Sequence, residues 1–137
     1  MRLLFALMLT AVTLLAAPLT WQKDYATAQQ LAKQNNKKIF VFISTEDCNW
    51  CDKLEATTLS DPDIVSRMEK EYASVHVTRG KDLYPKELKA VVVPMCYFLD
   101  SNGNIVDYAR GYWDSTDFNL ILNDVNKRMK KMKEKKQ

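Results

Sequence analysis

The pattern of hydrophobic and polar positions divides the chain beyond residue 18 into helices and strands. Residues 21–36 place apolar side chains at helical spacing and end in two asparagines, which predicts a first helix. The continuous apolar run at residues 39–43 predicts a strand buried on both faces. Residues 73–78 alternate between apolar and polar side chains and predict a second strand.

The stretch between these two strands predicts helical structure. Residues 46–59 indicate a loop that runs into a helix. Asp61 followed by Pro62 is typical of a helix start, because Asp caps free N–H groups and Pro fits the first helical position. The inner face of this next helix is expected to consist of Ile64, Val65, Met68 and Tyr72.

The second half of the chain predicts a hairpin. Residues 79–91 indicate a connector with one helical turn, and residues 91–100 a strand that Pro94 interrupts near its start. A turn signal at residues 100–103 separates this strand from another at residues 104–112. The last two strands are therefore expected to pair as a hairpin.

A final helix is predicted from Asp114 onward. Its apolar stripe consists of Phe118, Ile121, Leu122, Val125, Met129 and Met132. The order of elements, without a repeat or a second core, predicts one α/β domain with a mixed β-sheet flanked by helices. We place this domain at residues 19–126 and a basic helical extension at residues 127–137.

The first residues predict export from the cytoplasm. Arg2 precedes fifteen uncharged residues, 3–17, that end in small side chains, the arrangement of a secretory signal peptide. A membrane-spanning helix needs about 20 apolar residues. We therefore interpret residues 1–18 as a cleaved leader with an undefined cleavage site, and expect a periplasmic or secreted protein. A retained membrane anchor, or a cytoplasmic protein with a buried core helix, is the alternative.

The positive charge is concentrated at the C-terminus. The net charge is +3, whereas residues 127–136 contain seven Lys or Arg and one Glu, a net +6. This tail is either a weak contact for an anionic membrane or partner, or a solvated helix end whose cations suit the helix dipole. The rest of the chain has no basic groove with interleaved aromatic residues, which argues against nucleic-acid binding.

Two of the three cysteines, Cys48 and Cys51, lie where a helix is expected to begin. A helix N-terminus stabilises a thiolate, and one helical turn brings the second cysteine to the first, so the pair suits thiol–disulfide exchange. A zinc site needs four ligands, and only Cys96 and His76 are available to complete one, so we expect no metal and no cofactor. An inert structural disulfide is the remaining alternative.

These features together resemble the thioredoxin superfamily over residues 21–126. The resemblance rests on the strand–CxxC–helix unit, the later V-P-x-x-x-F-L-D strand, the hairpin and the final helix. C-x-W-C followed by Lys53 and Glu55 is similar to a subset that includes secreted bacterial thiol–disulfide interchange proteins. The resemblance implies an enzyme, a protein-disulfide oxidoreductase of the reductase or interchange type. In it Cys48 is the exposed nucleophile and Cys51 the buried resolving thiol.

The resemblance also implies a substrate groove beside the cysteines. Pro94 is expected to follow a cis peptide bond, and Val93 to offer its backbone to an extended substrate chain, with Trp50 on the same groove. The implied partners are protein thiols and disulfides and a further redox partner, with the chain acting as a monomer. The alternative is a non-catalytic binding module with a structural disulfide.

The chain departs from thioredoxin proper in its charged groups. Phe42 stands six positions before Cys48, where thioredoxin buries an aspartate, so Glu55 or His76 is the candidate proton acceptor. The acidic residues Glu46, Asp47, Asp52 and Glu55 surround the pair, against Lys53 alone. Negative neighbours oppose thiolate formation, so we predict a moderately reducing couple.

Cys96 lies two residues after Pro94, in a strand that the family buries. Its side chain is expected to point inward beneath the cysteine pair. It is then either a small core residue, as free cysteines commonly are, or a third thiol that can pair with Cys51 under oxidation.

Overall fold

The computed structural model describes residues 17–137. All of the predicted leader except its last two positions therefore lies outside the described residues. The elements within this range are β1 (Trp21–Gln22), α1 (Tyr25–Asn35), β2 (Lys38–Ser44), α2 (Asn49–Ala56), α3 (Pro62–Glu71), β3 (Tyr72–Thr78), β4 (Met95–Leu99), β5 (Ile105–Arg110) and α4 (Ser115–Glu134), with a 3₁₀ turn at Thr58–Ser60.

The five strands form one mixed sheet in the order β1-β3-β2-β4-β5. The first three are parallel, β4 runs antiparallel to β2, and β5 pairs with β4 as the predicted hairpin. Ile43 near the end of β2 lies opposite Met95 at the start of β4. The residues that follow β2 and those that precede β4 therefore meet at one end of the sheet.

Helices cover both faces of the sheet, which explains the continuous apolar run in β2. Phe40 and Phe42 belong to the core formed with α2, α3 and α4, whereas Ile39, Val41 and Ile43 belong to the core beneath α1. All five side chains are buried. A strand in this position has no polar face, so its sequence does not alternate.

The expectation that the first helix begins at Trp21 is wrong. Trp21 and Gln22 form β1 along β3, and α1 begins only at Tyr25. The Asp24 side chain accepts a hydrogen bond from the Thr27 amide at 2.7 Å, which fixes the helix start there. The Trp21 ring packs on Phe40, with ring centroids 6.1 Å apart. Trp21 therefore belongs to the sheet and not to the first helix.

The connector between β3 and β4 contains turns and not the predicted helical turn. The Asp82 carboxylate accepts from the Thr78 amide at 2.7 Å, and the Arg79 guanidinium donates to the carbonyls of Ala90 and Val91. These contacts hold the two ends of the connector together. Its path is therefore set by side-chain contacts that local periodicity does not encode.

The remaining helices follow the sequence closely. Asp61 caps α3 and accepts from the amides of Asp63 and Ile64. Tyr72 is buried, as expected, but it begins β3 and does not lie on the helix. The stripe of α4 packs on the core, with Phe118, Leu122 and Val125 buried and Ile121, Met129 and Met132 partly buried. The helix continues to Glu134, so the basic segment extends it directly.

Candidate active site

Strand β2 and the loop after it place Cys48 at the N-cap of α2. Cys48 and Cys51 form a disulfide with their Cα atoms 5.2 Å apart, and the Cys51 amide points at Cys48 Sγ at 3.2 Å. Cys48 is partly exposed, whereas Cys51 is 2% exposed. The two sulfurs thus differ in access, as the attacking and resolving positions of an exchange reaction require.

The second wall of the site comes from the start of β4. The Val93–Pro94 peptide bond is cis, the form that the resemblance implied. The Pro94 carbonyl accepts from the Gly111 amide at 2.8 Å, which ties it to the end of β5. A groove of about 340 Å³ is lined by Trp50, Val93, Pro94, Gly111 and Tyr112. The expected groove residues, which are distant in sequence, therefore lie together beside the disulfide.

Tyr112 is a groove residue that the sequence reasoning missed. Its ring lies 5.7 Å from that of Trp50, and Lys53 Nζ lies 4.7 Å from the Tyr112 ring and 4.9 Å from the Trp50 ring. Cation–π contact of this kind favours keeping the two rings together. In the sequence, the signal for this position was Gly111, the residue before Tyr112. In the structure Gly111 has a φ of 77°, which requires glycine and marks a close turn at the end of the hairpin.

The candidate proton acceptors Glu55 and His76 lie together. His76 Nδ1 is 3.9 Å from a Glu55 oxygen, and its Nε2 is 2.6 Å from Ser44 Oγ. The His76 ring stacks on the ring of Phe42, with centroids 4.4 Å apart. Phe42 is the residue that replaces the expected aspartate. Burial lowers the pKa of His76, and the negative charges of Glu55 and Asp82 partly offset this. Ser44 was not identified from the sequence, because its contact to His76 joins two neighbouring strands, β2 and β3.

Cys96 points into the same core as Cys51. It lies opposite Phe42 in the pairing of β2 with β4 and is fully buried, with no disulfide partner among residues 17–137. Burial raises the pKa of the Cys96 thiol well above its ordinary value, because a thiolate there would lose its hydration. At neutral pH this third thiol is therefore protonated and shielded from solvent.

The acidic residues near the disulfide are not equivalent. Glu46 forms an exposed ion pair with Lys81, whose Nζ lies 3.2 Å from its carboxylate. Asp47 and Asp52 are exposed and flank the two cysteines directly. Within residues 17–137 no three His, Cys, Asp or Glu side chains are grouped as metal ligands. Asp47 and Asp52 give the cysteine pair a locally negative setting.

The sheet order, the exposed–buried cysteine pair on a helix start and the cis-proline beside it together define a thioredoxin-fold protein with a CxxC pair. Proteins of this kind are generally disulfide oxidoreductases. The family model described as a thioredoxin-like domain matches residues 25–126. The chain therefore belongs to that family.

Similar proteins agree with this assignment at the level of the fold. An uncharacterised protein of Archaeoglobus fulgidus is 27% identical over 110 residues, covering 74% of this chain and 86% of that protein. The structure of DsbH oxidoreductase matches with a TM-score of 0.69 and 23% identity, over 82% of this chain and 87% of that one. A thioredoxin from Thermus thermophilus matches with a TM-score of 0.68 and 21% identity, over 80% and 88%.

In the part of the chain from residue 17 onward, no helix combines the length and the apolar character needed to cross a bilayer.

Proposed function

We propose that the protein is a thiol–disulfide oxidoreductase that acts outside the cytoplasm and exchanges a Cys48–Cys51 dithiol with disulfides of protein substrates. The observation that carries this proposal is the partly exposed Cys48 at the start of α2, with Cys51 buried behind it and the Val93–Pro94 groove beside it. The leader pattern of residues 1–18 supports the location.

The reaction follows from the order of exposure. The Cys48 thiolate attacks one sulfur of a substrate disulfide, forms a mixed disulfide and releases the other substrate sulfur as a thiolate. The Cys51 thiolate then attacks Cys48 Sγ, which closes the Cys48–Cys51 disulfide and releases the second substrate sulfur. Two electrons pass to the substrate, whose thiolates take up two protons. A separate dithiol partner returns the protein to its reduced form.

Residues around the pair adjust this exchange. The Cys51 amide and the dipole of α2 stabilise negative charge on Cys48 Sγ, because both place partial positive charge beside it. Asp47 and Asp52 oppose this effect. The balance favours a moderately reducing couple, and therefore a reductase or interchange role over that of a strong oxidant.

The groove determines how the substrate lies. An extended substrate chain pairs with the backbone of Val93, in the manner of strand addition, while its side chains contact the rings of Trp50 and Tyr112. Trp50 is 57% exposed, so part of this apolar surface is open before a substrate binds. The protein acts on its partners as a monomer.

Reduction of insulin by dithiothreitol tests the proposal. We expect the wild-type protein to accelerate insulin precipitation and the Cys48→Ser variant to fall to the rate of dithiothreitol alone, because the attacking sulfur is gone. Cys51→Ser is the matched variant, and it should accumulate a mixed disulfide with the substrate on Cys48. An inactive wild-type protein, together with full stability of Cys48→Ser, would instead identify a binding module with a structural disulfide.

A further inference from the structure

The end of the sheet opposite the disulfide carries a basic groove that the redox chemistry does not use. It has a volume of about 650 Å³ and is formed by the α1–β2 turn, the end of α3, the β4–β5 turn and the last turns of α4. Six lysines and two carboxylates line it, a net formal charge of +4. Four different segments therefore contribute to one positive surface.

Most of these lysines make no ion pair within the described fold. Lys38 pairs with Glu71 at 2.9 Å and is largely buried, so it stabilises the fold. The others, Lys37, Lys70, Lys130, Lys133 and Lys136, make no ion pair with the described residues. We call these five the basic end. Four of them, all except Lys37, are exposed and free to meet a ligand.

The negative ends of the helix dipoles do not neutralise this positive charge. Helices α1, α3 and α4 all end here, and each C-terminus contributes about −0.5 of an elementary charge, roughly −1.5 in total. That offsets less than half of the net +4. The surface remains positive after the helix ends have been compensated, so it can attract anions from solution.

The groove also has an apolar component. Met129 and Met132 line it and are only partly buried. Lysines around partly exposed methionines form the combination that suits a membrane interface, where the cations meet phosphate groups and the apolar side chains meet the boundary with the acyl chains.

The attachment of the N-terminal segment points the same way. The Thr20 amide donates to the Glu69 carboxylate in the last turn of α3, and Lys37 Nζ donates to the Glu69 carbonyl. The described chain therefore enters the fold at the basic end.

The distribution of charge distinguishes the basic end from the catalytic end. The cysteine pair lies beyond Ser44, and the seven residues of β2 separate it from the basic end by about 20 Å. That is more than twice the Debye length of about 8 Å at physiological ionic strength, so the two ends act independently. At the catalytic end cations alternate with acids, with Lys81 paired to Glu46 and Asp47 and Asp52 flanking the cysteines, so an anionic surface is attracted mainly to the basic end.

We propose that the basic end binds the anionic phospholipid headgroups of a membrane and holds the Cys48–Cys51 disulfide away from the bilayer. The contact is reversible and electrostatic, and it places the redox site towards the proteins of the surrounding space. It does not depend on whether the apolar leader is retained.

Vesicle binding of the full chain, purified from cells with its N-terminus determined by mass, tests the proposal. Binding is measured as the ratio between phosphatidylcholine vesicles with and without phosphatidylglycerol, because a retained leader contributes equally to both. The triple variant Lys130→Gln, Lys133→Gln, Lys136→Gln should weaken binding to the anionic vesicles about 100-fold, as expected for three lysines near the surface.

The matched control removes the same charge elsewhere. Lys81→Gln, Lys86→Gln, Lys89→Gln lies in the connector that starts and ends at the catalytic end, and it should keep the wild-type preference. Equal losses in the two triple variants would overturn the proposal, since net charge alone would then explain binding. A wild-type protein that ignores phosphatidylglycerol but binds polyglutamate would overturn it in favour of an acidic protein partner.

Orientation has its own measurement. Iodoacetamide should alkylate reduced Cys48 equally fast in the free and the vesicle-bound protein. A many-fold slower reaction on vesicles would show the catalytic end against the bilayer and refute the proposed orientation. This outcome is separate from the insulin assay, because alkylation does not require a productive substrate complex.

Discussion

At the scale of single residues, solvent access separates the three cysteines. Cys48 is partly exposed and bonded to Cys51, whereas Cys96 is fully buried with a raised pKa. We therefore expect the oxidised protein to contain one disulfide, between Cys48 and Cys51, and one thiol that reacts with iodoacetamide only after denaturation. Mass mapping of peptides alkylated before and after unfolding measures both properties.

A variant isolates the third thiol. Cys96→Ala should leave the disulfide intact and abolish the alkylation that appears on denaturation. Recovery of a peptide in which Cys51 is bonded to Cys96 would contradict the prediction, and would make Cys96 a participant in the redox cycle.

His76 is expected to make stability depend on pH. Its pKa in the folded protein is lowered by burial, so as pH falls through about 6.5 the unfolded chain takes up a proton before the native state does. The free energy of unfolding should therefore decrease between about pH 7.5 and about pH 5.5, by less than about 1.4 kcal/mol per pH unit, the limit for one proton.

Urea unfolding at the two pH values measures this effect. His76 is the only histidine of the chain, and histidine is the side chain whose ordinary pKa lies inside the chosen range. His76→Gln should make stability nearly independent of pH between these values. A wild-type protein whose stability rises on acidification would show that His76 is charged in the native state.

At the scale of elements, the sequence predicted those whose signals are local. Signals within a few residues predicted the apolar run of β2, the Asp61–Pro62 start of α3 and the apolar stripe of α4. The structure confirms all three. Strand β1 was missed because its two residues are defined by pairing of Trp21 with Ser74, far along the chain. Periodicity in one segment carries no information about such a partner.

The same distinction holds for the site. Cys48, Cys51 and Pro94 could be proposed from the sequence, because their spacing and context are visible there and match a family. Tyr112 and Ser44 were not, since each acquires its place through the fold. Tyr112 reaches the groove because the Gly111 amide binds the Pro94 carbonyl, and Ser44 contacts His76 across two parallel strands. Tertiary contacts of this kind leave no mark at either position alone.

At the scale of the whole molecule, redox chemistry and surface charge occupy opposite ends of one sheet. The parallel arrangement of β2 and β3 causes this, because the loop that carries the cysteines follows a C-terminal strand end. Helices α1, α3 and α4 return the chain to the other end. We therefore expect substitution of the basic-end lysines to change the proposed membrane binding and to leave the proposed disulfide exchange unchanged.

Removing residues 127–137 tests this separation and the proposed domain boundary at residue 126. The buried face of α4 ends at Val125, and beyond it Met129 and Met132 are only partly buried. If each methionine contributes about half the stabilisation of a fully buried side chain, their loss costs about 2 kcal/mol, less than the roughly 5–15 kcal/mol that stabilises a domain.

The truncated chain should unfold cooperatively at a lower urea concentration, reduce insulin at the wild-type rate and lose its preference for anionic vesicles. The lysine-to-glutamine triple variant in α4 is the control, because it should share only the loss of vesicle binding. A truncated protein that is folded but inactive on insulin would show that the two ends are coupled, since its cysteines and groove are unchanged.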